Sequence, residues 1–380
     1  MASAQTCFSI ADLRDLAKRR AHKMVFDYID GAADDEVTLA RNNGDFSDIS
    51  LVHRALVDCM DLDLSVSLAG LDLSLPFFCG PSAGNRLFHK DGERAVARAA
   101  SALDVACSLS TLSSVSIEDF SAEAQGNTFF QLYVWKDHGL VREMLARAKA
   151  AGFNAMMLTV DLAVHGNRER DWHNGLTIPP VIRPKQVWQA LSKPAWTWDY
   201  LTSPRIGYAN LSSHSGGESL FDFVSKQLDQ SFTWQEAQAF REMWDGPAFI
   251  KGVVHPDDGK RALACGYDGV IVSNHGGRQL DTDISPIRAL PAMREQLGAD
   301  VPIVLDGGVR RGTDIIKALC FGANAVSFAR PYLFGLAGDG EAGVRRALWL
   351  LKDELERGMT LLGAKSVKDL TQDFVQLSVR

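Results

Sequence analysis

The sequence predicts a (β/α)8 barrel, or TIM barrel, with an N-terminal helical cap and a long insertion after its fourth strand. Three observations predict this fold. Short β-rich apolar runs recur along the chain, segments with helical spacing separate most of them, and several runs end in a polar residue or a glycine. Alternation of this kind is typical of parallel strands joined by helices, and eight such strands close into a barrel.

Eight runs are predicted to form the barrel strands: 75–80, 105–110, 128–134, 155–161, 248–253, 269–275, 301–307 and 325–330. Apolar stripes opposite charged faces predict helices over 91–103, 138–150, 234–244, 256–265 and 311–321. The C-terminal ends of the strands meet at one face of such a barrel. We therefore expect the polar residues that end these runs to converge there.

Two segments lie outside this repeat. Residues 1–74 precede the first strand and are predicted to form the helical cap, whereas 162–231 is far longer than an ordinary barrel loop. We expect one domain over 1–380, with the barrel over 75–380 and 162–231 as an insertion or lid.

The insertion mixes aromatic and basic residues. This composition fits peripheral membrane contact through 177–215. It fits at least as well a lid whose tryptophans point inward. The residues concerned are Trp188, Trp196, Trp198 and Tyr200, with Arg183, Lys185, Lys193 and Arg205.

Composition narrows the functional classes. The chain has 380 residues, of which 46% are hydrophobic and 23% charged, as in ordinary soluble proteins. Its net charge of −7 gives no general attraction to nucleic acid, so no nucleic-acid partner is expected. Six scattered cysteines without a C-x-x-C pair indicate reduced thiols of a cytoplasmic protein and no metal site. The N-terminus lacks the apolar stretch of a signal peptide, and no long apolar window predicts a spanning helix.

The sharpest functional signal is SNHGGRQLD, residues 273–281, at the end of the sixth predicted strand. The imidazole of His275 can accept a proton near pH 7, and the guanidinium of Arg278 can hold a carboxylate by two parallel hydrogen bonds. Glycines between them let the backbone approach a ligand. On residue types alone, a site for an acid substrate and a capped turn with a surface arginine fit about equally.

A second signal follows strands seven and eight. Asp306-Gly307-Gly308-Val309-Arg310 ends one run and Ala329-Arg330 ends the next, where TIM barrels commonly bind a phosphate group. Glycines can bring backbone N–H groups to the anion, and arginines can neutralise it. The sequence therefore predicts a phosphate site at these two strand ends.

The string SNHGGRQLD resembles the active-site signature of the FMN-dependent 2-hydroxy-acid dehydrogenases and oxidases. The resemblance runs from Phe26-Asp27-Tyr28 to Gly363-Ala364-Lys365-Ser366, with the motifs in the family's order. Within the family, the sequence is most similar to bacterial L-lactate dehydrogenases, especially in WTWD (196–199), WDGP (244–247) and 359–366.

The resemblance implies a role for each site residue. His275 would be the base, paired with Asp161. Arg168 and Arg278 would clamp the substrate carboxylate, and Tyr28 and Tyr133 would hydrogen-bond the carboxylate and the hydroxyl. The residues implied to bind FMN are Pro81, Ser82, Ala83, Ser110, Gln131, Thr159, Lys251, Ser273, Asp306, Gly307, Gly308, Val309, Arg310, Ala329 and Arg330. Lys251 would stabilise the reduced flavin ring near its N1 atom.

Departures from the family pattern also carry expectations. Ser82 replaces the commoner Thr, and Ala329 stands where Gly usually precedes the phosphate-binding arginine, which requires a negative φ. Leu112 replaces the large aromatic of glycolate oxidases, so the substrate is expected to be lactate-sized or larger. His165 on the same rim could contact a polar substituent, but the sequence favours a solvated loop histidine.

The expected function is FMN-dependent oxidation of an L-2-hydroxy acid, L-lactate or a larger one, to the 2-oxo acid. The electrons would pass to a quinone, a cytochrome or oxygen, the last making the protein an oxidase. Relatives suggest a homotetramer, cytoplasmic or peripheral on the cytoplasmic face of the inner membrane. The alternatives are another FMN barrel oxidoreductase and a flavin-holding sensor or scaffold without turnover.

Overall fold

A computed structural model describes residues 3–175, 188, 190–204, 206–211 and 220–377. Eight parallel strands form a closed barrel in chain order, and the last strand pairs with the first. Each predicted run contains one of these strands, so the predicted (β/α)8 barrel is confirmed. The strands are β4 (Phe77–Cys79), β5 (Cys107–Ser110), β6 (Thr128–Tyr133), β7 (Ala155–Thr159), β8 (Ala248–Val253), β9 (Gly269–Val272), β10 (Ile303–Asp306) and β11 (Ala325–Phe328).

The interior of the barrel explains where the polar residues go. Successive residues of a strand point to opposite sides. Phe129 of β6 packs in an apolar layer with Phe78, Met157 and Phe249. Two residues further along their strands, the same interior side carries polar groups instead of apolar ones. These are Gln131, Thr159, Lys251, Ser273 and Asp306.

Helices surround the barrel, and all five predicted helices are present. They and the others around the barrel are α4 (Gly92–Ser101), α5 (Ile117–Ser121), α6 (His138–Ala150), α10 (Trp234–Glu242), α11 (Pro256–Ala264), α12 (Pro286–Leu297), α13 (Gly312–Cys320) and α14 (Arg330–Leu362). Helix α14 is interrupted at Asp339 and Gly340, which have non-helical φ and ψ. The sequence did not predict three of these helices: the short α5, α12, whose interior contains Pro291, and α14.

The segment before β4 is only partly helical. It contains α1 (Ile10–Arg20), α2 (Lys23–Asp30) and α3 (Val37–Gly44), but also strands that the sequence did not predict. Strand β1 (Ile49–Leu51) pairs with β12 (Val375–Leu377), and β2 (Val66–Leu68) pairs with β3 (Leu71–Leu73). Leu68 and Leu73 of this hairpin pack on the apolar layer inside the barrel. The hairpin therefore closes the end of the barrel opposite the polar residues.

Buried polar contacts join the helical part of this segment to the barrel mouth. Asn42 and Asn274 exchange two side-chain hydrogen bonds of 2.8 Å. The Asp281 carboxylate accepts a 2.7 Å hydrogen bond from the backbone N–H of Thr38. These contacts fix α3 against the loop that follows β9.

The described parts of the insertion contain α7 (Glu169–Asn174), α8 (Pro194–Thr202) and α9 (Leu220–Gln227). Trp196 points inward and donates its indole N–H to the Leu87 carbonyl at 2.9 Å, whereas Trp188 and Trp198 are 78% and 69% exposed. The expectation of inward-pointing tryptophans therefore holds for Trp196 but not for Trp188 and Trp198, which are exposed. Arg183, Lys185 and Arg205 lie outside the described residues. Within the part of the chain that the structure describes, no helix is long and apolar enough to cross a membrane.

Candidate active site

A single cleft at the C-terminal end of the barrel collects most of the residues singled out by the sequence. The space at this cleft, including the part open to solvent, is about 1600 Å³. Four predicted residues are not in its lining but adjoin lining residues in space or along the chain: Ser110, Asp161, Ser273 and Val309.

One end of the cleft is a glycine cradle beside a helix N-terminus. Gly307 and Gly308 follow β10 with φ of 117° and 80°. A Cβ on Gly308 would lie 2.0 Å from the Asn42 carbonyl oxygen, so only glycine fits there. Ala329 precedes the first residue of α14 and has φ of −114°, the negative value that its methyl group requires. A helix N-terminus of this kind favours a bound anion.

Two half-buried arginines, Arg310 and Arg330, line the same end. The Arg330 guanidinium donates hydrogen bonds of 2.9 Å to the carbonyls of Ile29, Gly276 and Gly31. Among the described residues, the acceptors of the Arg330 side chain are all neutral backbone oxygens, and none is a carboxylate. Burial and the nearby charge of Arg310 lower the pKa of Arg330 to about 9, and burial lowers that of Arg310 to about 10. This excess of partly buried positive charge fits a phosphate group.

A buried polar network covers the floor of the cleft. The Lys251 ammonium lies 2.7 Å from an Asp306 carboxylate oxygen and donates to the Ser273 hydroxyl at 3.0 Å. Burial alone would lower the pKa of Lys251, but Asp306 overcomes it and the pKa is raised. The buried lysine therefore stays charged in the lining of the cleft.

The wall beside this network is set by side chains from neighbouring strands. The Ser110 hydroxyl donates to the Gln131 amide oxygen at 2.8 Å, and the Gln131 amide donates to the Thr159 hydroxyl at 3.0 Å. Across the cleft, the Ser82 hydroxyl lies 2.8 Å from the Tyr332 hydroxyl, and Pro81 and Ala83 complete the wall. Five residues predicted to contact the cofactor thus line the same cleft: Pro81, Ser82, Ala83, Gln131 and Thr159.

His275 lines the same cleft. Its Nδ1 atom is 2.8 Å from Asp161 Oδ1, and its backbone N–H donates to the Ser273 hydroxyl at 3.1 Å. A non-glycine residue rarely has a positive φ, and His275 has φ of 56°. A Cβ on Gly252 would lie 2.5 Å from Asp161 Cγ. The glycine in the FIKG run therefore makes room for the carboxylate that holds the imidazole.

Arg168 and Arg278 both contact Tyr28, a residue of helix α2 in the cap. The guanidinium carbons lie 5.5 and 4.7 Å from the Tyr28 ring centroid, and Arg278 donates to the Tyr28 carbonyl at 2.6 Å. Burial and the Arg168 charge lower the pKa of Arg278. For Arg168, burial acts to lower the pKa, but Tyr28 and Asp171 outweigh it. Two half-buried cations beside one buried carboxylate, Asp171, leave net positive charge for an anionic ligand.

Tyr133 lines the cleft next to the imidazole of His275. Its ring is nearly parallel to that of His275, at an interplanar angle of 18° and a centroid distance of 6.5 Å. Burial raises the pKa of its phenol, with Asp161 adding to the effect, so the hydroxyl stays protonated and can donate.

Several cleft residues were missed by the sequence reading. They are Phe88, Leu162, Asp171, Tyr208 and Val224. Asp171 lies within the GNRERD string around Arg168 and could have been noted, but no pattern marks Tyr208 or Val224. His165, for which the sequence favoured a solvated position, is instead half-buried and lines the cleft. Burial and the charge of Arg168 lower its pKa to about 4, so its imidazole is neutral at pH 7.

Comparison with known proteins agrees with this geometry. An L-lactate dehydrogenase of Yersinia pestis (strain Pestoides F) is 38% identical over 374 residues, which are 97% of this chain and 98% of that protein. The crystal structure of the monotopic membrane protein (S)-mandelate dehydrogenase superposes with a TM-score of 0.94 at 36% identity, covering 98% of this chain and 100% of that one. A mandelate oxidase mutant superposes with a TM-score of 0.85 at 32% identity, covering 99% and 100%.

A sequence model of one protein family also matches the chain. Residues 17–377 match the family described as FMN-dependent dehydrogenases. This span includes the cap helix with Tyr28, the glycine cradle and the His275 loop. The chain belongs to the FMN-dependent dehydrogenase family.

Proposed function

We propose that this protein oxidises an L-2-hydroxy acid to the corresponding 2-oxo acid, with FMN as cofactor and His275 as base. The observation that carries the proposal is the pairing of His275 with Asp161 at 2.8 Å in a cleft that also holds Arg168 and Arg278. A base beside a carboxylate clamp suits an acid that must lose a proton. The names of the relatives, L-lactate dehydrogenase and (S)-mandelate dehydrogenase, support this substrate class.

The residues at the phosphate end fit FMN. Gly307, Gly308 and the start of α14 would offer backbone N–H groups to its phosphate, and Arg310 and Arg330 would neutralise it. Lys251 would place its charge beneath the ring. When bound, FMN supplies the acceptor for two electrons.

The chain's own residues would bind the acid and move the proton. Arg168 and Arg278 would hold the carboxylate, with Tyr28 donating to it, and Tyr133 would donate to the substrate hydroxyl. Because Nδ1 of His275 is bonded to Asp161, Nε2 is the atom that would accept the substrate proton. Asp161 would then stabilise the imidazolium, as a carboxylate does in other imidazole bases.

The substrate is proposed to be L-lactate or a larger 2-hydroxy acid. Phe88, Leu112, Leu162 and Val224 give the cleft an apolar wall near the arginines. Such a wall can accommodate an apolar side chain on the acid, since burying apolar surface is favourable.

Anaerobic reduction of the holoenzyme tests the proposal. A panel of L- and D-2-hydroxy acids is mixed with the FMN-loaded protein, and the loss of flavin absorbance is followed. We expect L-2-hydroxy acids to bleach the flavin of the wild-type protein. Under the same conditions they should not bleach the flavin of His275→Gln. Bleaching of His275→Gln at the wild-type rate would rule out His275 as the base. If no 2-hydroxy acid bleaches the wild-type protein, a flavin-holding scaffold without turnover is favoured.

We further propose that the electron acceptor is a membrane quinone and that the insertion touches the membrane surface. Trp198 and Leu201 lie one turn apart on α8 and are each 69% exposed, and Trp188 and Leu191 are similarly exposed. Large apolar side chains in this arrangement suit the lipid interface. The relative described as a monotopic membrane protein supports the idea.

Liposome flotation tests the membrane contact. The wild-type protein is expected to float with vesicles, and the double variant Trp198→Ser, Leu201→Ser is expected to remain in the soluble fraction. Trp349→Ser, which removes a 43% exposed tryptophan from α14, is the control. Comparing quinone reduction with peroxide formation would separate a quinone from oxygen as acceptor.

The remaining proposals concern assembly. We propose that the chain acts as one domain over 1–380, with the cap over 1–74 and the barrel with its insertion over 75–380, and that it forms a homotetramer. Light scattering should then give the mass of four chains. The mass of one chain in solution would contradict the tetramer.

A further inference from the structure

Tyr208 belongs to the insertion, yet its side chain lies inside the cleft. It is 5% exposed and lines the same space as Tyr28 and Arg168. Ile206 and Leu211 of the same segment are also buried. A buried polar aromatic at this position requires a partner for its hydroxyl.

A buried asparagine anchors the segment that carries Tyr208. Asn210 is 1% exposed, and its amide oxygen accepts hydrogen bonds from the Ile117 backbone at 3.0 Å and from Arg147 at 3.2 Å. Its amide nitrogen donates to the Ser113 hydroxyl at 3.0 Å, and the Ala209 backbone N–H donates to the Ser113 carbonyl at 3.0 Å. These contacts fix the segment to the loop after β5 and to α5 and α6.

The surroundings of Tyr208 define what its hydroxyl can do. Burial raises the pKa of the phenol, and the nearby Tyr28 adds to this effect, while Arg168 opposes it. The phenol therefore remains protonated and is a hydrogen-bond donor near neutral pH. A carboxylate accepts about four hydrogen bonds, so a carboxylate held by Arg168 and Arg278 has capacity left for a further donor.

We propose that Tyr208 donates its phenol O–H to the carboxylate of the bound 2-hydroxy acid and that Asn210 positions it there. The inference rests on the proposed function. The insertion already contributes Arg168, close to the end of β7. Tyr208 would add a second contact from the insertion, by a residue distant from every barrel strand in sequence.

Tyr208→Phe tests the proposal because it removes the hydroxyl and keeps the ring. The FMN-loaded protein is mixed anaerobically with L-lactate at increasing concentrations, and the limiting bleaching rate and the half-saturating concentration are measured. A hydrogen bond to a charged group predicts that the half-saturating concentration rises by about ten- to a hundredfold. The limiting rate should stay unchanged, as expected for an interaction made equally in ground and transition states.

Tyr267→Phe is the matched control. Tyr267 is also a buried tyrosine, and its hydroxyl donates to the Ala237 carbonyl at 2.7 Å, away from the cleft. Loss of the Tyr267 hydroxyl should leave the limiting bleaching rate and the half-saturating concentration unchanged. Asn210→Ala gives a second test, because it keeps the phenol but removes its anchor; it should raise the half-saturating concentration and leave FMN affinity unchanged.

The outcomes separate this inference from the proposed function. A half-saturating concentration within twofold of wild type in Tyr208→Phe would overturn the carboxylate contact, as would a fall confined to the limiting rate. An unchanged half-saturating concentration in Asn210→Ala would overturn the positioning role. If no L-2-hydroxy acid bleaches the wild-type protein, the proposed function fails first and the inference falls with it.

Discussion

Replacing Asp161 by Asn is expected to slow substrate oxidation by acting on the imidazole and not on substrate binding. Asp161 does not line the cleft, but its Oδ1 atom lies 2.8 Å from Nδ1 of His275. The amide oxygen of Asn can still accept the Nδ1 hydrogen, so the ring can keep its orientation. The substitution therefore removes mainly the negative charge that stabilises the imidazolium.

The magnitude follows from the distance between the two groups. At an effective dielectric constant of about 20, two unit charges about 2.8 Å apart attract each other by roughly 6 kcal/mol. Competing solvation reduces this, so a net loss of about 3–6 kcal/mol is reasonable when the imidazolium forms. Because about 1.4 kcal/mol corresponds to a factor of ten, the limiting rate should fall by roughly two to four orders of magnitude.

Stopped-flow bleaching with L-lactate measures that rate directly. The half-saturating concentration should change little in Asp161→Asn. Asp281→Asn is the control, since Asp281 is also a buried carboxylate but accepts from the backbone of Thr38 at 2.7 Å. It should lower thermal stability and leave the limiting rate near that of wild type. A limiting rate in Asp161→Asn within threefold of wild type would refute the role of the carboxylate.

Three further predictions concern FMN binding and stability. Arg330→Met should weaken FMN binding by about ten- to a hundredfold in a fluorescence titration of the apoprotein, because a charge-assisted contact is lost; an unchanged affinity would contradict the phosphate site. Gly308→Ala should lower both FMN content and melting temperature, since its Cβ would lie 2.0 Å from the Asn42 carbonyl oxygen, whereas Gly44→Ala has free space and should not. Burial raises the pKa of Glu93 above 4.5, so the folded state binds its proton more tightly, and the unfolding free energy should fall as pH rises from 4.5 through that pKa. Urea unfolding of Glu93→Gln should lack this part of the pH dependence.

The parts of the fold and site that the sequence predicted lie on regular strands. Phe129 and Gln131, or Phe249 and Lys251, are two residues apart, so the apolar layer and the polar floor follow from one period of alternation. The strand ends of a barrel meet at one face, so residues distant in sequence are predicted to lie together there even when the loop conformations are unknown. This is why the cleft residues on β6 to β10 could be foreseen.

What the sequence could not reveal depends on tertiary contacts of irregular segments. Tyr208 enters the cleft only because Asn210 finds partners on the loop after β5 and on α5 and α6, and no local pattern encodes that return. His165 is half-buried because its segment packs on the His275 loop: a Cβ on Gly166 would lie 2.2 Å from the Arg278 carbonyl oxygen. The β2–β3 hairpin was missed because three-residue strands carry little periodic signal.

The cap joins the two ends of the cleft through one backbone atom. The Gly31 carbonyl oxygen accepts from Arg278 at 3.2 Å and from Arg330 at 2.9 Å. Arg278 belongs to the proposed carboxylate clamp, and Arg330 belongs to the phosphate end. A Cβ on Gly31 would lie 2.7 Å from the Asp27 carbonyl oxygen, so a side chain there would push this backbone out of place. Because both guanidinium groups are oriented by the same carbonyl, a displacement of the cap at Gly31 would disturb cofactor and substrate binding together.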